Sequence, residues 1–154
     1  MSYEEALRNA RAENVDGQAV LSALSKAHEE GDARATYALA SWNLNGADFV
    51  PVNVQKGIEL LRSIEDQPVA EALYDLAVAY DLGKGVRRNP RKAFELYMKS
   101  ALLGHLEANR QVGQFFIAGE FVQFNRNIGR MWNRRGQLTE AEISPPQRLL
   151  LDPV

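Results

Sequence analysis

The sequence predicts an all-α solenoid: about three tandem helical hairpins, preceded by an N-terminal helix pair. Three observations carry this reading. Residue types recur with a period near 36, each period holds two stretches with helical apolar spacing, and glycines and asparagines punctuate the stretches at matching places.

The period appears in seven columns. Asn53, Asn89 and Asn125 are 36 apart, as are Val50, Val86 and Val122; Gly57, Ala93 and Gly129; and Leu60, Leu96 and Trp132. Ala35, Ala72 and Ala108 are spaced 37 and then 36, and so are Leu39, Leu76 and Val112, and Gly46, Gly83 and Gly119. One extra residue between Gly46 and Val50 explains the difference. Seven columns in register mean a duplicated structural unit. The units run over about 33–69, 70–105 and 106–138.

In the middle unit, Ala72, Leu76, Ala79 and Tyr80 recur at helical spacing, and after a break Ala93, Leu96, Tyr97, Ser100 and Ala101 do so again. Gly83 and Gly85 can take backbone angles that other residues resist, so they end the first helix and form the turn. Asn89 followed by Pro90 then opens the second helix, with the Asn side chain accepting from free N–H groups and Pro at the first position, where no donor is needed. Asn53 and Asn125 fit the same cap. Gly31 and Gly104 are expected to end second helices, with Pro68 at the equivalent place. Small residues at Ala35, Ala38, Ala40, Ala72, Ala77, Ala108 and Gly113 allow close helix approach.

The ends differ from the repeats. Ser2 with Glu5 forms a capping box that opens a helix to about Glu13, expected to pair with a half-repeat at 17–31. Residues 1–142 read as one domain, and 143–154 as a tail with Pro145-Pro146 and then Leu149-Leu150-Leu151, expected to cover the apolar edge of the last hairpin, in its own chain or in a neighbour.

Ala70-Glu71-Ala72-Leu73-Tyr74-Asp75-Leu76-Ala77, the turn Gly83-Lys84-Gly85-Val86, and Lys92-Ala93-Phe94-Glu95-Leu96-Tyr97 on to Ala101 and Gly104 together resemble a Sel-one-like repeat (SLR), a relative of the tetratricopeptide repeat. The resemblance covers about residues 20–138 and implies a right-handed α/α superhelix. The outer units depart from it at Asn43, where an aromatic falls, at Glu65, where a small residue is usual, and at Glu120-Phe121, which stands in place of the Gly-x-Gly turn. Asn133-Arg134-Arg135 also turns the last helix polar early.

The resemblance further implies that first helices line a concave groove. It projects into that groove Tyr37, Ser41 and Asn45; Tyr74, Asp75, Val78 and Asp81; and Arg110, Gln111 and Gln114. Tyr and Arg are common interface anchors. The competing reading is that Tyr37 and Tyr74 pack between hairpins. SLR proteins are similar in being adaptors and scaffolds, often bacterial, and some resemble immunity proteins that neutralise a toxin. The expectation is therefore a protein-binding module, with an immunity protein as the alternative.

Net charge is −2, unevenly spread. Residues 1–76 hold 6 basic against 13 acidic residues, net −7, and residues 77–154 hold 12 against 7, net +5. Arg87, Arg88, Arg91, Lys92, Arg126, Arg130, Arg134 and Arg135 read first as a solvated surface and second as a candidate surface for an acidic protein partner. Nucleic acid is disfavoured by a pI near 5.7. A monomer or weak homo-oligomer is expected, with acidic and basic halves meeting head to tail in the second case.

Catalytic chemistry finds little support. Lys84 between two glycines lacks phosphate-loop spacing and a preceding strand. His28 and His105 each lie near a helix end without metal-ligand spacing, and Glu4-Glu5, Glu29-Glu30 and Glu65-Asp66 are adjacent, so on a helix they diverge. There is no cysteine for a disulfide, thiolate metal site or nucleophile. The chain reads as a non-enzyme with no cofactor or metal; a small enzyme or accessory hydrolase is the remaining reading. No run reaches the roughly 18 apolar residues of a membrane helix, and Met1 to Leu7 is acidic where a signal peptide is basic, so a cytoplasmic location is expected.

Overall fold

A computed structural model describes Arg8, residues 16–47 and residues 49–137. Seven helices follow one another in these residues: α1 (Gly17–Glu29), α2 (Ala33–Asn45), α3 (Val54–Ser63), α4 (Ala70–Leu82), α5 (Pro90–Leu102), α6 (Leu106–Ala118) and α7 (Arg126–Arg135). Apart from one isolated bridge between Ala47 and Val50, no β-structure occurs among the described residues. Helices α2/α3, α4/α5 and α6/α7 form three successive hairpins, and α1 precedes them. Apart from Arg8, which is helical and exposed, the expected opening helix lies outside the described residues, as does the tail at 143–154.

Local chemistry sets the helix boundaries. The side-chain oxygens of Asn53, Asn89 and Asn125 accept from the backbone N–H groups of Lys56, Lys92 and Ile128 at 3.0, 3.1 and 2.9 Å, capping the three second helices. First helices use other caps: Asp32 for α2, His105 for α6, and for α4 none, its boundary residue being the buried Val69. Gly83 and Gly85 both take left-handed angles, φ 72° and 71°, so the middle turn forms without steric cost. Gly31 and Gly104 follow the ends of α1 and α5 with positive φ, as expected. Pro68 differs. Helix α3 has already stopped at Ser63, whose hydroxyl donates to the Leu60 carbonyl, and a turn through Gln67 intervenes before the proline.

Helices pack chiefly on their neighbours in sequence, as a one-dimensional stack requires. Val20, Ala23, Leu24 and Ala27 of α1 meet Ala35 and Leu39 of α2 in a small cluster. The main core runs from Ala40 to Trp132 and includes Leu76, Leu96 and Val112, each without solvent exposure. Small residues bring helix backbones together: a Cβ added at Gly113 would lie 2.7 Å from the Gly129 carbonyl oxygen, and one at Gly129 would lie 2.8 Å from that of Gly113. The Gly57–Ala93–Gly129 column is therefore a packing column.

Three of the departures from the repeat pattern, Asn43, Glu65 and Arg135, have partners in the structure. Asn43, buried, donates to the Leu39 carbonyl at 2.7 Å. Glu65 pairs with Lys92 of α5, tying the first hairpin to the second. Arg135 donates from Nε to Asn109 Oδ1 at 3.1 Å and lies over the Trp132 ring.

Candidate interaction surface

The ten residues projected into a groove lie on α2, α4 and α6, and all keep part or most of their surface in solvent. Helix stacking joins some of them. The Tyr37 hydroxyl donates to Asp75 Oδ2 at 3.2 Å, linking the first helices of two hairpins. Burial pushes the Asp75 carboxyl above its usual range, and this bond partly offsets the effect. Tyr74 stacks on His105, ring centroids 4.4 Å apart and planes at 18°, and packs against Tyr97 at 5.6 Å. Burial, and after it the charge of the nearby Asp81 carboxylate, raises the Tyr97 pKa.

Others bond mainly to near neighbours in the sequence. Asn45 donates to the Ser41 carbonyl at 3.0 Å. Arg110 and Gln111 both hold Glu107, at 2.6 and 3.3 Å, and Arg110 also donates to the Gly136 carbonyl. Val78 packs against the core, and Gln114 is exposed. Both readings of the tyrosines thus have physical content: Tyr37 and Tyr74 pack between hairpins while keeping an exposed part.

Three residues that the groove projection omitted belong to this surface: Glu71, His105 and Glu107. With Arg110, Leu103 and Leu106 they line a cleft of about 530 Å³ at the N-terminal ends of α4 and α6. His105 Nδ1 accepts from the Ala108 N–H at 3.2 Å, so the ring caps α6 as the neutral tautomer protonated on Nε2. Burial lowers its pKa, against the pull of Glu71 and Glu107. Its position just before Leu106 was a readable capping signal; the stacking on Tyr74 was not. His28 is likewise structural, its Nδ1 2.7 Å from Thr36 Oγ1. No cluster of three or more metal-ligating side chains occurs among the described residues, and none of their helices is long and apolar enough to cross a membrane.

Charge separates by helix as well as by half of the chain. Helix α4 carries Glu71, Asp75 and Asp81 and no basic residue, whereas α7 carries Arg126, Arg130, Arg134 and Arg135 and no acidic one. The turn before α5 adds Lys84, Arg87 and Arg88. Within the basic set, Lys92 is paired with Glu65, Arg88 donates to the Asp81 carbonyl at 2.8 Å, and Arg135 turns inward to Asn109; Arg87, Arg126, Arg130 and Arg134 are exposed.

The Sel1 repeat family matches residues 33–67 and 70–105, the first two hairpins. No curated protein matches the chain. Among solved structures, a Sel1 repeat protein from Oxalobacter formigenes is similar at a TM-score of 0.66 and 22% identity, over 74% of this chain and 86% of its own. A protective antigen present in uropathogenic Escherichia coli strains, displaying an SLR fold, reaches 0.77 at 20% identity over 87% of this chain and 29% of its own. An immunity protein from Pseudomonas aeruginosa reaches 0.61 at 24% identity over 87% of this chain and 50% of its own. The chain thus spans half or less of the last two. Residues 33–67 and 70–105 are Sel1 repeats, and the chain that stacks them between α1 and the α6/α7 hairpin is a Sel1-repeat α-solenoid.

Proposed function

We propose that the chain is a protein-interaction module, a cytoplasmic and non-enzymatic adaptor or scaffold that holds a peptide or partner domain along α2, α4 and α6. Sel1 repeats generally serve as protein-interaction modules, which supports the class. The observation that carries the site is the continuous row of partly exposed polar and aromatic side chains on these helices, from Tyr37 and its bond to Asp75, through the Tyr74–His105 stack, to the cleft at Glu107. Such a surface offers aromatic area and directed hydrogen bonds at once, the mixture that recurs in protein interfaces. The basic residues of α7 and the turn before α5 supply attraction to an acidic region of the same partner.

Amide hydrogen exchange on the complex with a partner co-purified from native cells tests the groove. Protection over α2, α4 and α6 is expected, and Ser41→Arg with Gln114→Arg is expected to weaken binding at least tenfold without changing the melting temperature. Protection confined to α3, α5 and α7 would refute the groove.

A second reading, a protein that neutralises a toxin, draws on the fold shared with the Pseudomonas aeruginosa immunity protein. Co-expression with a toxin encoded beside this chain tests it: rescued growth supports the reading, and undiminished killing opposes it.

A further inference from the structure

In the stacked hairpins, the turns from first to second helix fall along one edge of the solenoid, and that edge leaves large apolar side chains in water. Val52, Leu82, Phe121 and Phe124 are 59%, 70%, 48% and 57% exposed. Phe121 stands 36 residues after Gly85 and adopts the same left-handed backbone, φ 59° against 71°. A bulky side chain is strained there, where glycine is free. Contact with Phe115, centroids 6.2 Å apart, returns part of that cost, yet about half of the residue's surface remains exposed. The Arg91 guanidinium lies over the Phe121 ring, 5.5 Å from its centroid. Phe124, in the column held by Arg88 one repeat earlier, sits beside the Gly119 backbone. Arg126 follows it at the start of α7, and Arg87 precedes α5.

We propose that this third turn is a second docking surface, taking an acidic segment of a partner protein that carries an aromatic or aliphatic side chain. That side chain rests on Phe121 and Phe124 while flanking carboxylates meet Arg87, Arg91 and Arg126. The inference rests on the reading of the chain as an interaction module, and not on the groove. Charge complementarity selects the acidic occupant, and the exposed rings select its apolar residue. Nucleic acid fits less well: Glu95 and Glu120 interrupt the basic row, and a phosphate chain gains affinity from an unbroken one.

Selection of a random displayed-peptide library on the full chain tests this. Enriched peptides are expected to combine net negative charge with an aromatic or aliphatic residue. One of them, labelled for fluorescence anisotropy, is expected to bind Phe121→Gly at least tenfold more weakly, and Arg91→Glu with Arg126→Glu likewise, while Tyr74→Ala binds as the wild type does. Glycine suits the positive φ, so Phe121→Gly is expected to melt at the same temperature or higher; where it melts lower, the arginine reversal decides. Unchanged affinity in both variants, or enrichment of basic peptides alone, overturns the proposal. Peptides lost only with Tyr74→Ala overturn it while leaving the module reading intact, and no enrichment at all counts against both. Tighter Phe121-dependent binding of a single-stranded oligonucleotide, or wild-type self-association abolished by Phe121→Gly, reassigns the surface and overturns it too.

Discussion

The hydroxyl of Tyr37 donates to the carboxylate of Asp75 across the boundary between the first two hairpins, 38 residues apart in sequence and 3.2 Å apart in space. This bond supports a carboxylate that burial alone would disfavour. Tyr37→Phe is expected to lower stability by about 1 kcal/mol at pH 7, the usual value of such a bond. The folded pKa of Asp75 is raised above 3.8, so the folded chain binds its proton more readily, and the penalty for keeping it charged fades as pH falls through that folded value. Urea melts of both proteins at pH 7 and pH 4 check this: the gap between them is expected to narrow at the lower pH.

His105 makes the fold sensitive to acid. Its pKa is lowered from 6.5 by burial, so between the folded value and 6.5 the unfolded chain binds more protons. Stability is then fully present above 6.5 and is lost as pH falls through the folded value. Protonation at Nδ1 also removes the acceptor that caps α6. His105→Asn keeps a capping oxygen and abolishes the titration, although it gives up the stack on Tyr74. Its stability is expected to show a flatter pH dependence than the wild type from pH 7 to 5, read by denaturant midpoints with Glu71, Glu107, Tyr74 and Arg110 left in place.

Asn89→Ala is expected to cost about 1 kcal/mol, because it removes the acceptor for the Lys92 N–H at the start of α5. Denaturant melts at constant slope measure it. The backbone N–H of Asn89 still donates to the Tyr80 carbonyl, so the turn itself is expected to persist.

Asn109 is fully buried and serves three groups. Its amide donates to the His105 carbonyl at 2.7 Å and to the Ala101 carbonyl at 3.3 Å, and its oxygen accepts from Arg135 Nε. Asn109→Ala leaves a charged donor without this acceptor next to the core and is expected to cost about 2 kcal/mol. Thermal melts of Asn109→Ala, Arg135→Met and the double variant form the check: the double is expected to be less destabilised than the sum of the singles.

The sequence by itself determined the features that neighbours in the chain settle. An asparagine before a helix accepts from the N–H three residues on wherever the helix lies, so Asn53, Asn89 and Asn125 marked three boundaries correctly. Gly83 and Gly85 marked the middle turn because only local sterics govern φ. The repeat period added the stacking order, since identical units bury identical faces. Tertiary structure alone decided the rest. Tyr37 meets Asp75 38 residues on, and Glu65 meets Lys92 27 residues on, through the angle at which one hairpin lies on the next, which no local spacing encodes. Packing within hairpins turned Arg135 inward onto Asn109 and engaged Arg88, packing between hairpins engaged Lys92, and Arg130 and Arg134 were left outside, so a run of basic residues that reads uniformly along the chain has unequal members in space. At Phe121 the two levels conflict: local sterics favour glycine, and only the packed hairpins, with Phe115 in tilted contact with the ring and the Arg91 guanidinium over it, hold phenylalanine in a left-handed turn.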